Sequence, residues 1–235
     1  MDRPTVSVAM AVYNGEAYLR EQIDSIINQL ESDDELIISY NKGTDDSLTI
    51  ITEYQKVDDR ITIVECGENG VISNFENAIR HCKKDIIFLS DQDDVWIEDK
   101  INKILSYFNN SEIGCVTHKA TLVNENLEPI DNHSSVSKKI ISIRPLNIII
   151  KNQVQGCCMA FRKEYVKYIL PIPRKMPMHD SWIGLRISQR SKVILIPDEL
   201  ILYRQHDNNV TSRNHQKVPK MIYDRLQLIS CIFRG

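Results

Sequence analysis

Short apolar runs alternate with longer amphipathic segments through the first part of the chain, and this alternation constrains the fold more than any other feature. The runs contain many β-branched residues, which favours strands, whereas the longer segments repeat apolar residues at helical spacing. The strands are predicted at Val6–Val12, Glu35–Ser39, Ile61–Val64 and Asp85–Leu89, and the helices at Glu16–Leu30, Ser47–Tyr54 and Val71–His81. This order predicts an α/β fold with a mostly parallel central sheet flanked by helices.

Parallel strands that are joined by right-handed crossovers end at the same edge of their sheet. The turns after the first, second and fourth strands therefore open on one edge. Open α/β sheets bind their ligands at this edge, so a nucleotide is expected there.

Three carboxylates follow the fourth strand within Ser90–Asp94, whose sequence is Ser-Asp-Gln-Asp-Asp. Like charges this close repel one another, and a divalent cation is a simple way to neutralise them. Asp91 and Asp93 can share one ion through their oxygen atoms, which Mg²⁺, Mn²⁺ and Ca²⁺ prefer. The alternative is a turn in which Asp94 caps a helix that begins near Val95–Trp96.

The second half of the sequence is less regular. A strand is predicted at Gly114–Val123, a helix at Lys163–Leu170, and two apolar strand-like runs at Lys192–Ile196 and Ile201–Tyr203. Residues 128–140 are polar and are predicted to form a mobile loop. With 235 residues, the chain is long enough for one sizeable domain or two small ones.

Composition argues against several classes of protein. The net charge of −3 gives no global argument for binding nucleic acid or membranes, although six basic residues oppose two acidic ones from Tyr203 onward. No apolar stretch approaches the length of a bilayer span, and no secretory signal is recognisable. The six cysteines include no Cys-x-x-Cys pair, which argues against a zinc ribbon, and free thiols in a reducing cytosol are expected.

Several common catalytic motifs are missing, namely Gly-x-Gly-x-x-Gly after the first strand, a Walker lysine and a serine nucleophile elbow. A site at this edge would therefore use carboxylates, histidine and a cation. Asp180 begins a predicted helix, either as its cap or as a general base that the helix N-terminus keeps ionised. His206 is either a surface histidine or a third metal ligand, and Arg204 could neutralise a phosphate.

Two adjacent cysteines, Cys157 and Cys158, lie in the small-residue segment Gly156–Ala160. They could carry redox chemistry. We favour packing, because two small, soft side chains suit a tight place.

Five motifs in order resemble the inverting family-2 glycosyltransferases, which have the GT-A fold. They are Val6–Gly15, Leu89–Trp96, Gln155–Cys157, Met178–Trp182 and Tyr203–Asn209. The Ser-Asp-Gln-Asp-Asp-Val-Trp and Tyr-Arg-Gln-His forms look most like bacterial rhamnosyltransferase-type enzymes of surface polysaccharide synthesis. The resemblance implies one α/β GT-A (Rossmann-like) domain over 1–235, with a nucleotide-binding half at 1–96, an acceptor-binding half at 97–210 and a basic tail at 211–235.

The resemblance also implies a role for each matched residue. The catalytic base is Asp180. The nucleotide-sugar-binding residues are Ala11, Tyr13, Asn14, Asn41, Asp91 and Gln92. The metal ligands, which hold Mn²⁺ or Mg²⁺, are Asp91, Asp93 and His206. The acceptor-binding residues are Gly156, Cys157, His179 and Trp182.

The implied function is metal-dependent, inverting transfer of a sugar from a UDP- or dTDP-sugar donor to a glycan or lipid-linked acceptor. The cation offsets charge on the leaving diphosphate while Asp180 takes the acceptor proton. No nucleic-acid partner is expected. The protein is expected in the cytoplasm, with the basic tail either in peripheral contact with the inner membrane or packed as an ordinary helix.

One stretch departs from the family pattern. After the second strand the family usually has an acidic pair followed by Gly-Ser, and Tyr40 and Asn41 occupy those acidic positions here. Asn41 can offer a carbonyl to a uracil or thymine N–H, and Tyr40 could stack on a base. Two other functions stay open: a nucleotidyltransferase or phosphohydrolase that uses the acidic cluster for two-metal chemistry, and a non-catalytic nucleotide-sugar binder.

Overall fold

The protein is described from a computed structural model. The structure describes residues 3–130, 139–150, 153–206, 209, 223–228 and 230. Most of the loop predicted at 128–140 and most of the basic tail at 211–235 lie outside these residues.

The first half alternates strands and helices, as the sequence predicts. Its elements in order are β1 (Val6–Val12), α1 (Leu19–Ile27), β2 (Glu35–Tyr40), α2 (Ser47–Val57), β3 (Ile61–Glu65), α3 (Val71–His81) and β4 (Ile86–Ser90). Helix α3 has the predicted bounds. Helix α1 is shorter than predicted, because the backbone N–H groups of Tyr18 and Leu19 donate to Gly15 O and form a turn before the helix.

The second half adds shorter helices and strands. Its elements are β5 (Val95–Trp96), α4 (Lys100–Tyr107), β6 (Ile113–Val123), β7 (Ile141–Ile143), α5 (Pro145–Ile150), β8 (Met159–Arg162), α6 (Val166–Ile169), α7 (His179–Ser188) and β9 (Lys192–Arg204). Single 3₁₀ turns at Gly156–Cys158 and Lys163–Tyr165 precede β8 and α6. The helix predicted at Lys163–Leu170 is therefore a 3₁₀ turn followed by a short helix. The two predicted runs around Pro197 form one strand, β9.

The strands of the described part form one mixed sheet in the order β3-β2-β1-β4-β8-β6-β9-β5, with β7 paired to β9. Strands β3, β2, β1 and β4 are parallel. Strand β8 lies antiparallel between β4 and β6, and β9 is parallel to β6. The predicted α/β class, with a mostly parallel central sheet between helices, is confirmed, and β8 makes the sheet mixed.

Helices cover both faces of the sheet. Successive residues of a strand point to opposite faces, so Val8 and Met10 pack with α1, α2 and α4, whereas Ala9 packs with α3 and α7. These side chains are fully buried, and burial of one Val or Met side chain contributes roughly 1.5–3 kcal/mol. No helix in the described ranges combines the length and apolar content that a membrane crossing requires.

Candidate functional site

A cavity of about 690 Å³ opens at the sheet edge where β1, β2 and β4 end. The turns after these strands meet there, because β1 pairs in parallel with both β2 and β4. Many residues that the sequence predicts for the site line this cavity: Ala11, Tyr13, Asn14, Asn41, Asp91, Gln92, Asp93 and His206. The structure therefore brings the predicted donor-side residues together at the predicted edge.

Gln92 joins the turn after β1 to the acidic turn after β4. Its Oε1 accepts from Tyr13 N at 2.8 Å, and its Nε2 donates to Tyr13 O at 2.9 Å. Gly15 leaves room for this amide, since a Cβ there would lie 2.5 Å from Gln92 Oε1. Tyr13 is 54% exposed and lines the cavity, so it can contact a ligand there.

Asn41 lies at the cavity wall with its amide in a defined orientation. Its Nδ2 donates to Cys66 O at 3.0 Å and to Glu68 O at 2.8 Å. The amide oxygen is therefore the group that Asn41 can offer to a ligand. Tyr40, by contrast, packs in the hydrophobic core, and its hydroxyl oxygen accepts from Gly43 N at 3.1 Å. The suggestion that Tyr40 stacks on a base is therefore wrong.

Asp93 and His206 meet at the cavity wall. The distance between Asp93 Oδ2 and His206 Nε2 is 2.9 Å. The His206 ring also packs on Tyr18, with ring centroids 4.8 Å apart, and Asn209 Oδ1 accepts from His206 N at 2.6 Å. A carboxylate and an imidazole are thus held side by side. Asp91, a third residue that could bind a metal ion, also lines the cavity.

The carboxylates of this wall are crowded. Burial, and then the charges of Asp93 and Asp180, raise the pKa of Asp91 well above its usual range. Asp180 is itself only 7% exposed and does not line the cavity. A bound cation would relieve this crowding, because it favours the ionised form of each carboxylate.

Asp180 lies in the first turn of α7, as predicted. Its Oδ1 accepts from the backbone N–H of Ser181 and from Ser181 Oγ, the latter at 3.0 Å. Met178, two residues before it, lines the cavity. The first turn of α7 therefore connects the cavity wall to a carboxylate, and the role of that carboxylate as a base stays a prediction.

Asp94 is held behind the acidic turn. Its Oδ1 accepts from the backbone N–H of Arg204 at 3.1 Å, and the residue is fully buried. The alternative in which Asp94 caps a helix near Val95–Trp96 is wrong, because these two residues form β5 and pair with β9, and α4 begins only at Lys100.

A buried lysine, Lys100, stands behind the same turn. Its Nζ donates to Cys157 O at 3.1 Å and lies 3.9 Å from the ring centre of Trp96. Burial lowers the pKa of Lys100 to about 8, against the raising effect of nearby acidic groups that include Asp94 and Asp91. One carboxylate oxygen each of Asp91 and Asp94 and the Sγ atom of Cys157 lie within 4.8 Å of one another. The protein therefore supplies part of the positive charge that the acidic turn requires.

The residues predicted to bind the acceptor form the layer behind the cavity wall. A Cβ on Gly156 would lie 2.6 Å from His179 Nε2, so the 3₁₀ turn touches the start of α7. The His179 ring is buried and stacks on Phe75 with centroids 3.9 Å apart, and burial lowers the pKa of His179 to about 3.

Trp182 and Cys157 also lie inside the protein. The indole N–H of Trp182 donates to Ile169 O at 2.8 Å. Cys157 and Cys158 are both fully buried free thiols, which confirms that they pack in a tight place. The acceptor-binding roles of Trp182 and Cys157 stay predictions, as do those of Gly156 and His179.

Sequence reasoning missed several residues of the cavity wall. They are Ala17, Tyr18, Asn69, Gly70, Val71, Asn74, Met178, Tyr203 and Asn209. Asn69 and Gly70 carry the same signal as the turns that were predicted, a polar glycine turn after a strand. Met178, Tyr203 and Asn209 lie within the matched motifs but were given no role there. Tyr18 carries no such signal, because only the folded chain places it beside the cavity.

Residues 7–170 match the sequence model of Glycosyl transferase family 2. The chain is also 28% identical over 249 residues to a Shigella flexneri protein named dTDP-rhamnosyl transferase RfbG, and the match covers 94% of this chain and 78% of that protein.

The fold is similar to two solved structures. One is S. aureus TarS 1-349 in complex with UDP-GlcNAc, with a TM-score of 0.75, 15% identity and coverage of 97% of this chain. The other is the mannosyltransferase PcManGT from Pyrobaculum calidifontis in complex with GDP-Man and Mn²⁺, with a TM-score of 0.70, 18% identity and coverage of 100% of this chain. The chain spans 66% of each solved chain. This likeness confirms the predicted GT-A fold.

Proposed function

The chain belongs to glycosyl transferase family 2, and we propose that it is a metal-dependent, inverting glycosyltransferase. The donor is a UDP- or dTDP-sugar, and the acceptor is a glycan or lipid-linked saccharide of bacterial surface polysaccharide synthesis. The observation that carries the proposal is the convergence of Asp91, Asp93 and His206 on one cavity, whose wall also includes Met178, the residue before the first turn of α7 that contains Asp180. The similarity to RfbG supports a nucleotide-sugar donor.

The residues at the cavity wall fit a divalent cation. Two carboxylates and one imidazole form a set of oxygen and nitrogen donors that suits Mn²⁺ or Mg²⁺. Asp91, Asp93 and His206 would hold the ion, and its chemistry would be that of a Lewis acid toward the leaving nucleoside diphosphate. The Mn²⁺ in the solved complex of PcManGT, a protein of the same fold, supports this assignment.

The nucleotide lies between the turns after β1 and β2 in this proposal. Asn41 Oδ1 accepts the N–H of uracil or thymine, because the amide nitrogen already donates to two backbone carbonyls. Tyr13 offers an exposed aromatic ring to the nucleotide, and Ala11 and Asn14 complete this wall. Gln92 contributes by holding the acidic turn against the backbone of Tyr13.

Asp180 is the proposed general base. It removes the proton of the acceptor hydroxyl while that oxygen attacks the anomeric carbon from the face opposite the diphosphate. The first turn of α7 favours the ionised carboxylate, because a helix N-terminus stabilises negative charge. One displacement through an oxocarbenium-like transition state inverts the anomeric configuration.

The acceptor approaches from the second half of the chain. In this proposal residues 97–210 form its side of the site, with Gly156, Cys157, His179 and Trp182 as the layer that shapes it, whereas residues 1–96 bind the nucleotide. In this proposal the basic tail at 211–235 contacts the anionic cytoplasmic face of the inner membrane peripherally, where a lipid-linked acceptor would be found. Leu228 of the tail packs instead in the hydrophobic core cluster that includes α3 and α7.

Two substitutions test the assigned roles. We expect Asp93→Ala and Asp180→Asn each to lower transfer by about 100-fold or more, measured as Mn²⁺-dependent release of nucleoside diphosphate from UDP- and dTDP-sugars. Asp59→Asn is the matched control, because Asp59 is an exposed carboxylate in the turn before β3, at the opposite edge of the sheet.

The products distinguish the competing functions. Release of pyrophosphate would identify a nucleotidyltransferase, and donor binding without turnover on any acceptor would identify a non-catalytic binder. Near-normal transfer by Asp93→Ala or by Asp180→Asn would show that the role assigned to that residue is wrong.

A further inference from the structure

We propose that Arg204 is a positioning residue for the cation end of the cavity. It holds the acidic turn from behind and supports His206 through Tyr18, so that Asp93 and His206 face the same point. The inference extends the proposed function and depends on it only for the presence of a bound cation. It assigns Arg204 no contact with the donor.

The side chain of Arg204 connects three separate segments. It ends β9 and is 2% exposed. Its Nε donates to Asp93 O at 2.9 Å, and its two terminal nitrogens donate to Glu21 Oε2 and to Glu125 O. All three guanidinium nitrogens therefore donate hydrogen bonds within the protein. Their acceptors lie in α1, in the acidic turn and in the turn after β6.

The backbone of Arg204 also forms a hydrogen bond with the acidic turn. Its N–H donates to Asp94 Oδ1 at 3.1 Å. Because the side chain holds the carbonyl of Asp93 and the backbone holds the carboxylate of Asp94, two consecutive residues are tied to the end of β9. The direction in which the Asp93 side chain leaves the turn follows from these two contacts.

His206 is held by the same residue along two routes. The guanidinium carbon of Arg204 lies 4.5 Å from the centre of the Tyr18 ring, and Tyr18 packs on the His206 ring at 4.8 Å. Asn209 forms the second route, since its Nδ2 donates to Arg204 O at 3.2 Å and its Oδ1 accepts from His206 N at 2.6 Å. The 2.9 Å contact between His206 Nε2 and Asp93 Oδ2 is thus supported from both sides by Arg204.

This geometry argues against a direct role in phosphate binding. Arg204 does not line the cavity, although Asp93, His206 and Tyr18 do. A lysine could not replace it, because only the planar guanidinium presents several N–H groups in a fixed fork to separate acceptors. The suggestion from the sequence that Arg204 neutralises a phosphate gives way to a structural role behind the cation ligands.

Arg204→Lys with a matched arginine control tests the inference. Arg162 ends β8 at the opposite edge of the sheet, where Nε donates to Ile113 O at 2.9 Å and Nη2 to Phe108 O at 2.6 Å. It also packs on the Phe108 ring, 5.3 Å from its centre. Arg162→Lys therefore removes a similar guanidinium fork, from a half-buried position, without approaching the cavity.

Mn²⁺ binding is measured by electron paramagnetic resonance of the free ion, with Mn²⁺ alone and with UDP. We expect Arg204→Lys to raise the Kd for Mn²⁺ about tenfold, which corresponds to about 1.4 kcal/mol, and Arg162→Lys to leave it within about twofold. Both variants should lower the thermal midpoint. Unchanged Mn²⁺ affinity in Arg204→Lys, or an equal loss in Arg162→Lys, would overturn the inference.

Glu21→Gln provides a second test if Arg204→Lys does not fold. The Glu21 side chain is 58% exposed, so its substitution should be tolerated, yet it removes the charged partner of the Arg204 fork. We expect a smaller rise in the Kd for Mn²⁺, whereas Glu53→Gln, which breaks the surface pair with Arg20, should leave the Kd unchanged. No change in Glu21→Gln would contradict the inference.

The readout separates this inference from the proposed transfer. Wild-type protein that binds Mn²⁺ but transfers no sugar would refute the transfer and leave the role of Arg204 intact. Wild-type protein that binds no Mn²⁺ would refute the inference, and the transfer would still be judged by its own product assay.

Discussion

At the scale of one residue, the hydrogen bonds of Asn41 account for an amide, rather than an acid, after β2. The amide nitrogen of Asn41 donates to backbone carbonyls of the loop after β3. In the proposed site, the amide oxygen binds a ligand. A carboxylate could do only the second. The replacement of the family's usual acid is therefore tied to the local hydrogen bonds of this chain.

We expect Asn41→Asp to destabilise the protein rather than to improve the site. The new carboxylate would face Cys66 O and Glu68 O without a proton to donate, which costs about 1–3 kcal/mol for unsatisfied buried groups. Urea unfolding should show this loss, and a UDP- or dTDP-sugar that stabilises the wild type should stabilise Asn41→Asp less.

Asn77→Asp is the matched control. Its Nδ2 also donates to a backbone carbonyl, Glu65 O at 3.3 Å, and to Ser39 Oγ at 2.9 Å, but Asn77 does not line the cavity. It should lose stability and keep the donor-induced shift. Donor binding by Asn41→Asp at or above the wild-type level would contradict this account of Asn41.

At the scale of elements, hydrophobic periodicity predicted the bounds best where one helix or strand buries one regular stripe of apolar side chains. Helix α3 has its predicted bounds because its apolar spacing and its contacts with the sheet agree. Strand β9 was split in the prediction, because Pro197 and the acidic residues after it suggest an end. Pairing with β6 continues past Pro197 through shifts in register, so tertiary contacts override the local signal.

Glu76 connects α3 by hydrogen bonds to the segment that leads into α7. Its carboxylate accepts from Ile172 N at 3.0 Å, from Arg174 at 2.7 Å and from Arg80 at 2.7 Å. Burial raises the pKa of Glu76, but the hydrogen bonds from Arg174, Ile172 and Arg80 outweigh it, so the pKa of Glu76 lies below its ordinary value. This contact supports the position of Asp180, since the fastened segment leads directly into the first turn of α7.

The depressed pKa of Glu76 predicts a pH dependence of stability. A carboxylate with a lower pKa in the folded state contributes stability that is present above its unfolded value and lost as pH falls through the folded value. We expect Glu76→Gln to lose about 1.5–3 kcal/mol at neutral pH, the scale of a hydrogen bond to a charged group. The difference from wild type should shrink as pH falls below about 4.5.

Urea unfolding of both proteins at neutral pH and near pH 4 measures this difference. Glu112→Gln is a suitable control, because Glu112 pairs with Lys192 on the surface, where a salt bridge contributes little. A gap between wild type and Glu76→Gln that stays constant across this range would show that the Glu76 carboxylate is not the titrating group.

At the scale of the whole molecule, the directions of the strands bring both halves of the site to one edge. Parallel pairing places the turns after β1, β2 and β4 there, and the sequence alone predicted this part. Strand β8 runs antiparallel to β4, so its entry turn, Gly156–Cys158, reaches the same edge as the end of β4. Strand β9 is parallel to β6 and brings Arg204 to that edge.

The parts of the site that escaped prediction depend on this long-range arrangement. The sequence predicts that the acidic turn needs a positive partner, and a divalent cation is the simplest candidate. The structure adds two buried protein cations, Lys100 and Arg204, behind the turn. Neither could be recognised locally, because α4 and β9 reach the turn only through the order of the strands in the folded sheet.

Gly156 contacts the start of α7, and this contact carries the last prediction. A Cβ at Gly156 would lie 2.6 Å from His179 Nε2, and His179 is held in place by its stack on Phe75. Gly156→Ala should therefore displace the first turn of α7, which includes Asp180. We expect the kcat of transfer to fall about 10- to 100-fold, the scale for a misplaced catalytic group, while the donor KM and donor-induced thermal shift stay near wild type.

Gly114→Ala serves as the control for this substitution. A Cβ there would lie 2.7 Å from Ser191 Oγ, a similar clash, but Gly114 lies near the start of β6 at the edge opposite the cavity. Both variants should lose stability, and only Gly156→Ala should lose kcat. Equal loss of kcat in both, or a Gly156→Ala variant whose defect lies wholly in donor binding, would show that this contact does not set the position of Asp180.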